Sequence, residues 1–160
     1  IYYQAVPIVL TNDEEDYEIA KKSGVYYVLG KDDNWQKEVS SITSGRMADK
    51  AVFIYESNIP IIKAFSLASF NAAVAITGVT SGSISISFTQ AIKKQLDILC
   101  INNGYGNAAS AINLIANKAI NLSQLKLASE TYESVPETFE KLSKEYDETG
   151  KIYETVIDLI

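Results

Sequence analysis

The sequence predicts an α/β protein, a doubly wound parallel sheet that is incomplete at its N-terminal end and carries a C-terminal helical and strand extension. Three observations carry that reading. Extended and helical signals alternate over the first two-thirds of the chain with short connections, as repeated strand–helix units do. Residues 51–55 (AVFIY) and 72–77 (AAVAIT) are nearly continuous apolar runs, the pattern of strands covered on both faces. A chain of 160 residues with 47% hydrophobic and 21% charged content has the material for one buried core, which at this length hides about two-thirds of the unfolded surface.

Taken in order, residues 6–11 (VPIVLT) form a short buried strand with Pro7 near its start. Asn12, Asp13, Glu14 and Glu15 then open a helix whose positive end the acids favour, and Gly24 stops it. Residues 25–29 (VYYVL) are β-branched and aromatic, a second strand. Asp33 is expected to cap a helix that places Trp35, Val39 and Ile42 on one face. A turn at Ser44 and Gly45 leads into the run at 51–55. Asn58 can cap the next helix, with Pro60 in its first turn and a buried stripe of Ile61, Ile62, Phe65 and Ala68. The run at 72–77 comes next and ends at Gly78.

Beyond it, Ile84, Ile86 and Phe88 alternate with serine, as a strand or a semi-extended loop would, and residues 95–101 are a further strand candidate. Asn107 caps a helix bearing Ala108, Ala111, Ile112 and Ile115 on one side. Ser134, Val135, Pro136 and Glu137 match a capping box, opening a helix with Val135, Phe139, Leu142 and Tyr146 on one face. Residues 152–157 close the chain as a strand.

Composition excludes several functions. A net charge of -6 repels polyanions, so nucleic acid is not an expected partner. The chain has no histidine and one cysteine, Cys100, expected to be an inert thiol in an apolar strand. No Ser/His/Asp, Cys/His or metal-ligand constellation can be assembled, so no catalytic and no metal-binding residue is assigned. A lone cysteine fits a reducing, cytoplasmic compartment, and no apolar stretch is long enough to span a bilayer. The tripeptide Gly104-Tyr105-Gly106 lacks the spacing and lysine of a phosphate loop and is expected to be a turn.

The order and spacing of these segments resemble the zinc-type branch of the medium-chain alcohol and polyol dehydrogenases. Residues 18–24 (EIAKKSG) before Tyr27 and Val28 look like the second Rossmann helix of that family entering its third strand. Residues 43–49 (TSGRMAD) before Ala51, Val52 and Phe53 resemble the family's next turn and strand, and 73–79 (AVAITGV) resembles the strand after those. Residues 111–118 (AINLIANK), 120–122, 134–142 and the strand at 151–158 resemble its later helices and closing strand. The resemblance covers nearly the whole chain.

It implies a Rossmann-like cofactor domain over residues 1–103 and, over 104–160, a segment that packs on a catalytic domain. The family's first strand, its G-x-G-x-x-G turn and its zinc ligands would all precede Ile1. The implied activity is oxidation of a secondary alcohol or polyol by a nicotinamide dinucleotide, with zinc held elsewhere in the full protein. These 160 residues alone are then expected to be inactive. Residues 95–101 look like the edge strand through which the family dimerises, implying a homo-oligomer. The alternative is a non-catalytic, degenerate module acting in dimerisation or nucleotide binding. Residues 125–129 lack the family's usual histidine, and Asn71-Ala72 replaces its usual glycine pair. S-adenosylmethionine on a similar sheet fits the last third poorly.

In a doubly wound sheet the ligand meets the carboxyl ends of the strands. The candidate cofactor-binding residues are therefore Thr11, Asn12 and Asp13 near the adenosine ribose, and Tyr55 and Glu56 near adenine and ribose. Thr77, Gly78 and Val79 would lie at the nicotinamide ribose, and Ile101 and Asn102 at the carboxamide. Thr11 stands where the family often has an acid. Asp13, Glu14 and Glu15 crowd the same turn without a neighbouring Lys or Arg, which favours NAD over NADP. The same acids serve equally to stabilise a helix N-terminus.

Overall fold

A computed structural model describes residues 5–54, 59–78, 86–102, 104–120, 122–123, 128–149 and 155–158. The chain divides into two compact units, Ile1–Ile120 and Asn121–Ile160.

In the first unit, strands β1 (Ile8–Leu10) and β2 (Tyr27–Leu29) pair in parallel, Ile8 opposite Tyr27 and Leu10 opposite Leu29. Helix α1 (Glu14–Lys22) connects them. After α2 (Trp35–Ile42), strands β3 (Ala48–Ile54), β4 (Ala68–Thr77) and β5 (Asp97–Cys100) form a second parallel sheet in that order. Helix α3 (Ile61–Leu67) links β3 to β4, and α4 (Thr89–Lys94) precedes β5. Helix α5 (Ala108–Ala116) comes after β5. Parallel strands joined by helical crossovers are the predicted α/β architecture.

The main core lies where α3 packs on the second sheet. It gathers Phe53, Ile61, Phe65, Ala68, Ala72, Val74 and Ala91. A second cluster joins Leu29, Val39 and Leu67, with Ile8, Leu10, Trp35 and Met47 against it. Leu67 thus ties the end of α3 to the β1–β2 pair while Phe65, two residues earlier, belongs to the main core. Lys94 adds a polar tie. Its Nζ donates to the carbonyls of Phe65 (3.1 Å), Ser66 (2.8 Å) and Ala68 (2.7 Å), tying the end of α4 to the junction of α3 and β4. Burial draws the Lys94 pKa below the usual lysine value, while the three carbonyls favour the ammonium.

Several local expectations need correction. The run at 51–55 is covered on one face only: Phe53 is buried, but Val52 is 71% exposed and Ile54 also faces out. Ile62 faces outward, and Ala68 begins β4 rather than extending the helix; the buried stripe of α3 is Ile61, Phe65 and Leu67. Pro60 is the N-cap of α3, outside its first turn, and Asn58 lies outside the described residues. Residues 95–96 are not strand, because Gln95 closes α4 in the left-handed region at φ 53°. Helix α4, with one buried side chain (Ala91), had no sequence forecast. Of the alternating serine stretch, for which a strand and a semi-extended loop are both open from the sequence, Ile84 lies outside the described residues, and Ile86 and Phe88 are outside any strand, as the loop alternative has it. Cys100 is exposed, not a core thiol. No side chain of α5 is buried, although Asn107 does stand at its N-cap.

In the second unit, β6 (Ala128–Thr131), unforecast, pairs in parallel with β7 (Thr155–Asp158). Between them lie a 3-10 turn (Tyr132–Ser134) and α6 (Val135–Thr149). The Ser134 hydroxyl donates back to the Thr131 carbonyl (2.8 Å). Along α6 the less exposed face is Val135, Thr138, Leu142 and Glu145, while Phe139 and Tyr146 point outward. Residues 151–154 of the expected closing strand lie outside the described residues.

Candidate functional site

At the carboxyl ends of β1 and β2 the chain makes two turns that open onto one cavity of about 490 Å³, within the size range of small-molecule sites. Asn12, just past β1, lines it together with Lys31 to Gln36 from the β2–α2 turn and the start of α2. Pro60, Lys63, Ser66 and Leu67 of the α3 segment form the other wall.

The β2–α2 turn is held by its own side chains. The Gly30 amide donates to Asp33 Oδ2 (2.7 Å), and the Trp35 indole N–H donates to the Gly30 carbonyl (2.6 Å). Asn34, not Asp33, is the N-cap of α2: its Oδ1 accepts from the Lys37 amide (3.2 Å). The expected cap at Asp33 is therefore displaced by one residue, because that carboxylate folds back onto the turn.

The turn after β1 is equally structured. Thr11 is buried; its Oγ1 accepts from the Asp13 amide (3.0 Å), and its own amide donates to the Leu29 carbonyl (3.1 Å). Asp13 is the N-cap of α1, its Oδ1 accepting from the amides of Glu15 (2.9 Å) and Asp16 (3.1 Å). Of the three candidates in this turn, Asn12 alone lines the cavity. Replacing Asp13 with alanine should remove the cap and lower stability by about 1 kcal/mol. Urea denaturation beside dinucleotide titration checks this: stability should fall while affinity stays within about twofold. A selective loss of affinity would make Asp13 a ligand instead.

A second group of candidates gathers at the ends of β4 and β5. Thr77 pairs with Ile54 on β3, and the Ile101 amide donates to the Ile76 carbonyl (2.8 Å). Gly78, Ile101 and Asn102 continue from the two strand ends side by side. Gly78 has φ 116°, a backbone state open to glycine and costly for other residues. Tyr55, Glu56 and Val79 lie outside the described residues.

Sequence reasoning missed Lys31, Asp32, Trp35 and Lys63 as cavity residues. The signal available was the turn after the second strand, since strand carboxyl ends bound the site in this fold class. The position of Lys63, on the first turn of α3, was not readable without the packing of α3 against α2. Among the described residues no group of three or more His, Cys, Asp or Glu side chains could hold a metal ion. No described helix is long and apolar enough to cross a membrane.

No protein-family profile matches the chain. In sequence it is similar to a Haemophilus influenzae protein described as an uncharacterized zinc-type alcohol dehydrogenase-like protein, 28% identical over 145 residues. That match covers 89% of this chain and 42% of the relative, so the chain spans less than half of the relative's length. In fold it resembles the crystal structure of AibC (TM-score 0.76, 18% identity), over 95% of this chain and 45% of that one. A short chain alcohol dehydrogenase from E. coli CFT073, complexed with cofactor NADH, superposes with TM-score 0.70 at 17% identity, over 95% of this chain and 44% of that one. A putative alcohol dehydrogenase from Sinorhizobium meliloti 1021 gives TM-score 0.72 at 17% identity, over 95% and 43%.

Proposed function

We propose that this chain, similar in sequence to part of a zinc-type alcohol dehydrogenase-like protein and in fold to part of several alcohol dehydrogenases, contributes the nicotinamide-dinucleotide site of such an enzyme. One observation carries the reading. The cavity opens at the carboxyl ends of parallel strands, in a fold shared with a structure complexed with NADH.

Asn12 and the β2–α2 turn take the adenosine end of the cofactor. Thr77, Gly78, Ile101 and Asn102 take the nicotinamide end, where the missing side chain of Gly78 lets backbone come close. The bound nicotinamide supplies the hydride-accepting carbon. The residues here bind and orient it, and the substrate is a small alcohol or polyol. A catalytic zinc does not fit this chain, which has no histidine and a single, exposed cysteine, and no step is assigned through one. A cytoplasmic setting fits that lone thiol.

The NAD preference read from Asp13, Glu14 and Glu15 weakens in three dimensions. Asp13 is engaged as a helix cap, and none of the three lines the cavity. In the described sheet β5 is an edge, and pairing of two copies through residues 95–101 is part of this reading. Sedimentation at high concentration checks it: a dimer is expected, and a purely monomeric species contradicts it.

Trp35, the sole tryptophan of this sequence, lines the cavity and reports directly on binding. Reduced nicotinamide absorbs where indole emits. NADH or NADPH should therefore quench Trp35 fluorescence saturably in the protein of natural length, and Trp35→Phe should remove that component. Turnover of alcohols without any dinucleotide binding at this cavity would refute the assignment.

A further inference from the structure

We propose that Lys94, set behind the cavity rather than in its wall, is a positioning residue for the α3 side of that cavity. Its ammonium holds residues 65–68 where the adenosine end of a dinucleotide needs them, so the proposal rests on the dinucleotide reading above. Ser66 and Leu67 line the cavity. Lys94 Nζ binds the backbone on both sides of Leu67, at the carbonyls of Phe65 (3.1 Å), Ser66 (2.8 Å) and Ala68 (2.7 Å). An ammonium has three donors, and three acceptors here take them all.

This wall depends on a tie from outside its own helix. Helix α3 is seven residues long, too short to hold by itself, and its N-cap, Pro60, supplies no side-chain cap bond. The Ser66 hydroxyl turns back to the Lys63 carbonyl (2.8 Å), within the same segment. Burial of Ile61, Phe65 and Leu67 presses α3 onto its neighbours, but apolar contact is non-directional and does not fix the last turn. Carbonyls at a helix end lack backbone donors, and a lysine that serves three of them at once sets their place. Leu67 carries that place onward. It packs in the cluster of Leu29 and Val39, to which Trp35 also belongs, and Trp35 lines the cavity from the β2–α2 side. Residues 65–68 thus set the spacing between the two walls.

The test is a calorimetric titration of the natural-length protein with NADH and with ADP-ribose, which has the adenosine end and no nicotinamide. Lys94→Met should weaken both about tenfold, as expected when the wall holds its binding position about a tenth of the time. Lys94→Arg, which keeps a charged donor, should stay within about threefold of the wild type, and Lys93→Met should bind as the wild type does. A residue that only stabilises the fold leaves both affinities unchanged as long as circular dichroism shows the variant folded. A second readout needs no ligand. Lys94→Met should shift the Trp35 emission, isolated by subtracting a Trp35→Phe background, to longer wavelength, because Leu67 no longer keeps that cluster closed. If the methionine variant does not fold, Lys94→Gln, with two donors for three carbonyls, carries the same test at about three- to fivefold. Wild-type affinity in the folded methionine variant, a loss confined to NADH, an unmoved Trp35 emission, or an arginine variant as weak as the methionine one would overturn the positioning role while leaving dinucleotide binding intact. A wild type that binds neither ligand would remove the dinucleotide reading itself, and the positioning role with it.

Discussion

Phe65→Ala is expected to destabilise the protein by about 3–5 kcal/mol, the largest effect of any single truncation in the first unit. Phe65 is fully buried and sits at the centre of the main core, between α3 and the sheet. Its removal loses the transfer free energy of a phenyl ring and leaves a void that the close-packed neighbours Phe53, Ile61 and Val74 can fill only partly. A typical domain is stable by only about 5–15 kcal/mol, so this variant should lie near the edge of folding. Urea denaturation followed by circular dichroism reads the midpoint. A loss below about 1 kcal/mol would mean that α3 is not packed on the sheet as described. Phe70, which is 62% exposed, is the control: Phe70→Ala should change stability little.

The second large effect is polar. Lys94→Met keeps most of the side-chain stem and deletes an ammonium that serves three carbonyls at once. Those carbonyls belong to the end of α3 and the start of β4, where helix termini already lack backbone donors. Hydrogen bonds to a charged donor contribute about 1.5–3 kcal/mol each, but water can reach this partly open site. A net loss of about 2 kcal/mol is therefore expected. Lys93, its exposed neighbour on α4, should tolerate the same change within about 0.5 kcal/mol. Equal, small effects at both positions would show that the three-carbonyl cap contributes nothing.

The sequence was most readable where local chemistry and packing agree. Acids after the first strand and Gly24 bounded α1 correctly, because cap and stop act within a few residues of themselves. The apolar runs marked β3 and β4, but periodicity cannot tell how many faces are covered, and Val52 and Ile54 proved exposed. Helix α4 was hidden because six residues are too few for a 3.6-residue period to emerge. The face shared by Val135, Phe139, Leu142 and Tyr146 was legible from periodicity, but periodicity does not say how much of that face is covered, and Phe139 and Tyr146 proved exposed.

For the site, Asn12 was found because it lies just past a strand end, and Asp13 was named for chemistry that its capping bonds already use. Lys31 and Lys63 are 32 positions apart in the sequence. Only the packing of α3 beside the β1–β2 pair brings them to one cavity.

The most direct test of the central claim is a crystal structure of the natural-length protein grown with reduced dinucleotide. The account predicts the adenosine ribose beside Asn12 and the β2–α2 turn, with the nicotinamide between the Thr77–Gly78 and Ile101–Asn102 strand ends. A dinucleotide bound away from these strand ends, or a cavity at Asn12 left to solvent with the cofactor saturating, would contradict it.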